Sequence, residues 1–264
     1  MLSVNHKTIL EVSGLSFEDH HLVCHQTIEE VLYLEEACDI TIKSGAHVKI
    51  VDCCLDGIYS ITVEKDAVLN YQLLCGSNGF RTIACSGTVE VLQIATEKTE
   101  ETLEIHLLDP NATASVDLLA VSLFKQTFHQ KIIHDAPNTT SNISNHAVAL
   151  KGAVLLLDTV GKITKGMAHS VCRQSSKGIV MDDDSKITSC PILLIDEYDV
   201  VANHGAAIGK MSDESLFYLM SRGLKKTEAF LLILEGIIAP FIRMIQDETL
   251  KQKIADDLRK IIQE

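Results

Sequence analysis

The amino-acid sequence predicts a mainly β fold, a parallel β-helix (solenoid) followed by a C-terminal helical region. Three observations predict it: alternating apolar positions in the first half, near-constant spacing between the alternating segments, and a change of period beyond Met211. From Ile40 to Val51 the even positions Ile40, Ile42, Ala46, Val48 and Ile50 are apolar, while Thr41, Lys43, His47 and Lys49 are polar. That is the period of a half-buried strand. The alternation recurs at Ile61, Val63, Ala67, Leu69 and Tyr71, and more loosely at Ile83, Cys85, Val89 and Val91.

Ile42, Val63, Cys85 and Leu107 lie 21, 22 and 22 residues apart. If each coil of that length turns once about an axis, inward side chains of successive coils stand about 4.8 Å apart in columns. An antiparallel sandwich would place strands closer in sequence, with frequent tight-turn dipeptides. Only Asp56-Gly57 and Asn78-Gly79 qualify, and their 22-residue separation puts them at one corner of the same repeat. After about Leu119 the register fades. The Asn/Thr/Ser cluster from Asn138 to Asn145 reads as an exposed loop, and strand-like runs resume at 153–157, 178–181 and 192–195.

Beyond Met211 the period becomes that of a helix. Ser212 is placed to cap a first helix, with Asp213 and Glu214 facing the positive end of its dipole and Gly223 as its stop. A second helix runs from about Thr227 to Ile245 and should kink or end near Pro240, which lacks an N–H and whose ring clashes with the preceding turn. Phe230, Leu231, Leu232, Ile233, Leu234, Ile237 and Ile238 cover most of its circumference, so it is buried under the solenoid, docks on another protein, or both. A third helix, 248–263, is amphipathic. The chain accordingly divides into a short N-terminal segment (1–30), a β-helix core (31–211) and a helical region (212–264).

Composition narrows the function. Thirty-six Asp and Glu against 23 Lys and Arg give a net charge of -13, and no basic stripe offsets it, which argues against a nucleic-acid binder. Aromatic residues are 5%, with no Trp, so the core is aliphatic and sugar-stacking platforms are disfavoured. The eight cysteines contain no C-x-x-C, and no signal peptide precedes them, so the expected compartment is a reducing cytoplasm. The longest nearly apolar stretch, 229–242, is too short to span a bilayer.

Candidate chemistry is sparse. His21, Cys24 and His25 would share one helical face and could hold a metal, but on a strand Cys24 points away from both histidines. Adjacent Cys53 and Cys54 face opposite sides of a strand and read as packing. Asp182, Asp183 and Asp184 lack the spacing of a calcium loop and read as a solvated turn. No P-loop, dinucleotide fingerprint, nucleophile elbow or H-E-x-x-H is present.

The most specific stretch runs from Pro191 to Leu224: a P-I-L-L-I strand, the turn His204-Gly205-Ala206, and a helix reading D-E-S-L-F-Y-L-M-S-R-G from Asp213 to Gly223. With Glu228-Ala229 and Glu235-Gly236 beyond it, this stretch closely resembles the SufB/SufD family of iron–sulfur cluster assembly proteins. The resemblance implies a right-handed parallel β-helix and a noncatalytic scaffold. Such a scaffold pairs with a SufB-type subunit, or with an identical chain, and recruits a SufC-type ATPase through its C-terminal helices. The SufB pattern has Glu directly after the histidine and a cysteine some 28 residues before it; here Gly205 and Ser176 stand there, so the chain resembles SufD. It also implies that His204 is a ligand for iron or a transient iron–sulfur cluster, with Cys172 and Cys190 close enough in sequence to contribute. The face implied for the ATPase comprises Ser212, Asp213, Leu216, Phe217, Tyr218, Arg222, Gly223, Phe230, Leu234 and Ile237. Family members carry a longer N-terminal region, so the chain reads as a minimal version that pairs with itself. The competing expectation is a stand-alone solenoid that binds metal or acts as an enzyme.

Overall fold

A computed structural model describes residues 3–4, 7–8, 12–54, 56–74 and 78–263; Cys75 lies outside them. The chain is mainly β, with two largely parallel sheets and a C-terminal helical region. Strands alternate between the sheets in chain order. One sheet takes β1 (Ser3–Val4), β2 (Lys7–Thr8), β5 (Val31–Leu34), β7 (His47–Asp52), β9 (Val68–Leu73), β11 (Thr88–Ala95), β13 (Thr113–Ser122), β15 (Thr140–Ala149), β17 (Val171–Val180) and β19 (Val201–Lys210). The other takes β3 (Leu15–Glu18), β4 (His21–Cys24), β6 (Asp39–Ile42), β8 (Asp56–Val63), β10 (Asn78–Cys85), β12 (Thr99–Leu107), β14 (Lys125–His134), β16 (Val154–Ile163) and β18 (Lys186–Ile195). From β4 onward the pairings within each sheet are parallel, apart from the antiparallel contact of β1 with β5. The arrangement is compatible with a β-helix-like fold.

The coil length follows from the register. Ile61, Ile83, Ile105, Ile132, Gly161 and Leu193 lie side by side in successive strands, so the step grows from 22 residues to 27, 29 and 32. The ladder therefore does not fade after Leu119; it lengthens, and the constant spacing is lost while the pairing persists. Asp56 and Asn78 start paired strands at one corner, as their spacing predicts.

The stretch expected to be an exposed loop, Asn138 to Asn145, is mostly strand. Its residues Ser141 and Asn145 are buried, and Thr139 with them. The polar side chains are satisfied inside instead of outside. His134 places Nδ1 2.7 Å from the Thr139 hydroxyl and Nε2 2.8 Å from that of Ser141. Thr139 donates to the Ala136 carbonyl, so His134 donates from Nδ1 and accepts at Nε2 as a neutral ring. Burial lowers its pKa from 6.5 to about 4. An unfolded chain binds that proton more readily, so stability present above pH 6.5 is lost as the pH falls toward about 4. Urea midpoints are expected to drop between pH 7 and pH 5, and His134→Gln should flatten that slope.

Around His21 the chain is a strand, not a helix. His21 faces out and reaches the Thr41 hydroxyl at 2.8 Å, whereas Cys24 is buried and its thiol is pushed up to about 12 by desolvation and then by Cys38. The strand alternative weighed there is the one the chain adopts. Cys53 is exposed and Cys54 buried, on opposite sides as expected. Asp182 accepts from the backbone of Ser185 and Gly152 in a turn.

Among the early coils the mostly aliphatic interior holds an ionic cluster. Arg81, fully buried, bonds Asp52 at 2.9 Å and Glu101 at 2.6 Å, and the hydroxyls of Tyr59 and Tyr71 both donate to Asp52. Every charge in it lies on an inward strand position that alternation alone would reserve for an aliphatic residue.

Helix α1 (Asp213–Ser221) begins as predicted: the Ser212 hydroxyl accepts from the Ser215 N–H at 3.2 Å, and Gly223 follows with φ +98°. Helix α2 (Lys226–Met244) runs through Pro240 without ending. The proline removes only the bond to the Gly236 carbonyl, and both residues are exposed, so water can take that bond's place. Leu234, Ile238 and Phe241 of α2, with Ile254 and Leu258 of α3 (Glu248–Gln263), cover Leu92, Ile94, Leu119, Val121 and Val148 on the outer face of the ten-stranded sheet. Each such side chain contributes roughly 1.5–3 kcal/mol by leaving water. Gln72 anchors the end of α2 by donating to the Met244 carbonyl at 3.0 Å, and Tyr33 donates to Asp247 at 2.5 Å. Among the described residues, no helix is long and apolar enough to cross a membrane.

Candidate functional site at the open end

The last strand of each sheet, β18 and β19, pairs on one side only. The edges therefore present unpaired backbone donors and acceptors, a template for another strand. Val201, Ile192 and Leu194 nearby are exposed large apolar side chains.

His204 lies on β19 and is exposed. The register puts it opposite Gln174, which continues the inward column Val91, Val116 and Ile143. His204 thus sits at the lip of the interior, with no further coil above it. Cys172 occupies the neighbouring inward column, two residues back, opposite Ala202. Its thiol packs over Gly161 of the facing sheet; a Cβ there would stand 2.4 Å from Sγ. Burial raises the Cys172 pKa and so disfavours the thiolate that binds metal. Cys190 is exposed, but it pairs with Asp158 on the outer face of the nine-stranded sheet. The structure thus brings Cys172 toward His204 behind a sealed surface and turns Cys190 away. Among the described residues no three His, Cys, Asp or Glu side chains form a group able to hold a metal.

Sequence reasoning missed the polar seam beneath the lip. The Gln130 amide donates to Gln93 at 3.0 Å, and Asn145 donates to Gln130 at 2.9 Å, all buried. Closer to the lip, Thr159, Gln174 and Ser189 bury oxygens without a protein partner, which marks places for ordered water. The readable signal was Gln at inward period-two positions, as in Gln126-x-Phe128-x-Gln130.

The helical face splits in two. Phe217 and Tyr218 of α1 are 74% and 56% exposed, with Arg222 stacked 5.4 Å from the Tyr218 ring centroid, and Leu232 of α2 is also exposed. Ser212, Asp213 and Gly223 are exposed beside them, and Phe230 and Ile237 are half-buried. Leu216 and Leu234 are buried, Leu234 completely. Leu234 is thereby corrected from a partner contact to a packing residue, because its side of α2 faces the sheet.

The chain thus combines two largely parallel sheets of alternating strands, an exposed histidine on the last strand and a helical tail. The family described as "SUF system FeS cluster assembly, SufBD core domain" matches residues 18–237. The chain belongs to the SufB/SufD family. It is 32% identical over 135 residues to the iron-sulfur cluster assembly protein SufD of Bacillus subtilis, covering 51% of this chain and 31% of that protein. It is 26% identical over 239 residues to SufB of the same organism, covering 79% of this chain and 50% of that protein. An iron-sulfur cluster assembly SufBD family protein of Mycobacterium bovis is 32% identical over 139 residues, 16% of its length. The chain spans at most half the length of these relatives.

Proposed function

We propose that this chain is a noncatalytic, SufD-like scaffold subunit of the SUF machinery in the cytoplasm. In this reading the sheets wind as a right-handed solenoid with a β-helix core (31–211) between a short N-terminal segment (1–30) and a helical region (212–264). Its open end pairs with a SufB-type subunit or a second copy of this chain, and α1 with the exposed part of α2 recruits a SufC-type ATPase. Iron, or a transient iron–sulfur cluster, is the cargo. The observation that carries the reading is the open end itself, where unpaired edges, exposed aliphatic side chains and His204 occupy one rim. A rim on which the described residues gather no metal-holding group suits a site completed by another subunit: the His204 imidazole suits iron, and a partner's thiolate would add the soft ligand.

The test is co-expression with the SufC-type ATPase and SufB-type subunit of the same source, followed by purification on a tag carried by this chain. A stable complex is expected, and anaerobic loading with iron and sulfide should give visible absorption that His204→Ala reduces at least several-fold. Failure to co-purify either folded partner would refute the assembly role. Equal absorption from this chain alone, unchanged by His204→Ala, would favour a stand-alone metal-binding protein.

A further inference from the structure

Between α2 and the outer face of the ten-stranded sheet lies a cleft of about 540 Å³, within the size range of small-molecule sites. On β19 it is lined by Ala207, a small side chain flanked at the neighbouring outward positions by Gly205 and Gly209. One wall is apolar, made by Ile237, Phe241 and Met244 of α2, with the Phe241 ring edge-on to His146 at 5.0 Å. The floor is polar and carries both signs of charge. Asp117 on β13 receives a hydrogen bond from Ser144 on β15; Lys177 on β17 stands beside His146.

Asp117 is half-buried, and its pKa is raised by desolvation and then by Glu90. Neither Asp117 nor Lys177 has an ion-pair partner among the described residues. Two strand spacings and a two-residue offset put their Cα atoms on the order of 12 Å apart, and the two side chains line the same cleft without pairing with each other. A zwitterion, whose ammonium and carboxylate lie about 3 Å apart, can meet one with each end. The helix wall then receives an apolar side chain.

We propose that this cleft binds a free α-amino acid with an aliphatic or thioether side chain, its ammonium on Asp117 and its carboxylate on Lys177. The cleft borders the rim and shares Ile237 with the face proposed for the ATPase, but binding is measured on the chain by itself, so either reading can fail without the other.

Isothermal titration of the full chain with L-leucine and L-methionine is expected to give saturable binding. Leucinamide, which lacks the carboxylate, and isocaproate, which lacks the ammonium, should each bind at least about tenfold more weakly. Lys177→Gln should weaken leucine about tenfold and leave leucinamide unchanged; Asp117→Asn should weaken leucine and leave isocaproate unchanged. Lys177 is exposed, so its variant is expected to fold, which circular dichroism checks. No saturable heat with either amino acid at millimolar concentration overturns the proposal. So does leucine binding that both substitutions leave intact, or analogues that bind as tightly as leucine.

Discussion

Arg81→Leu is expected to destabilise the chain by about 3–5 kcal/mol, a large part of the 5–15 kcal/mol that holds a domain together. The leucine matches much of the lost volume, so the cost comes from Asp52 and Glu101, left in a dry interior without their cation. Burial disfavours the charged form of a carboxylate that has lost its cation, so the penalty grows as the pH rises. The variant should therefore be closest to the parent near pH 5 and furthest from it near pH 8, when urea midpoints are followed by far-ultraviolet circular dichroism. Adding Asp52→Asn and Glu101→Gln should restore part of the loss, and a pH-independent deficit would show that lost packing, not stranded charge, is responsible.

The second large effect separates the two sides of the helical tail. Leu234→Ala, at a position with no exposure, is expected to cost about 2–5 kcal/mol through the cavity left between α2 and the sheet. Changing Phe217 and Tyr218 together to serine removes exposed surface and should alter stability by less than about 1 kcal/mol. The order reverses for capture of a SufC-type ATPase: the double serine variant should lose it, while Leu234→Ala retains it under conditions where it remains folded. If the double variant still holds the ATPase, the proposed docking face lies elsewhere.

The fold was legible where the interior was uniform. Between Ile40 and Leu107 most inward positions are aliphatic and each coil takes 20 to 22 residues, so both alternation and spacing stand out. Beyond Leu119 the strands continue, but Gln126, Gln130, Ser141, Asn145 and Gln174 take inward places, and the coils lengthen. A polar residue that finds its partner inside looks, in sequence, like one that faces solvent. The same reasoning explains Asn138 to Asn145, where composition signalled a loop but two hydroxyls serve His134. At Pro240 the helix continues where the sequence allowed an end: the lost bond falls on an exposed turn that water can serve, and that exposure cannot be read from the chain. At the rim, His204 was found through its motif, whereas the orientations of Cys172 and Cys190 depend on strand parity, which a fading register hides.

The coils also differ in grip. Four-residue ribbons in the early coils give way to ten-residue ribbons at the end, so the late layers are fastened by more cross-links than the early ones. Tension applied at the amino terminus would unzip the molecule layer by layer against rising resistance, and the rim carrying His204 would be the last portion to come undone.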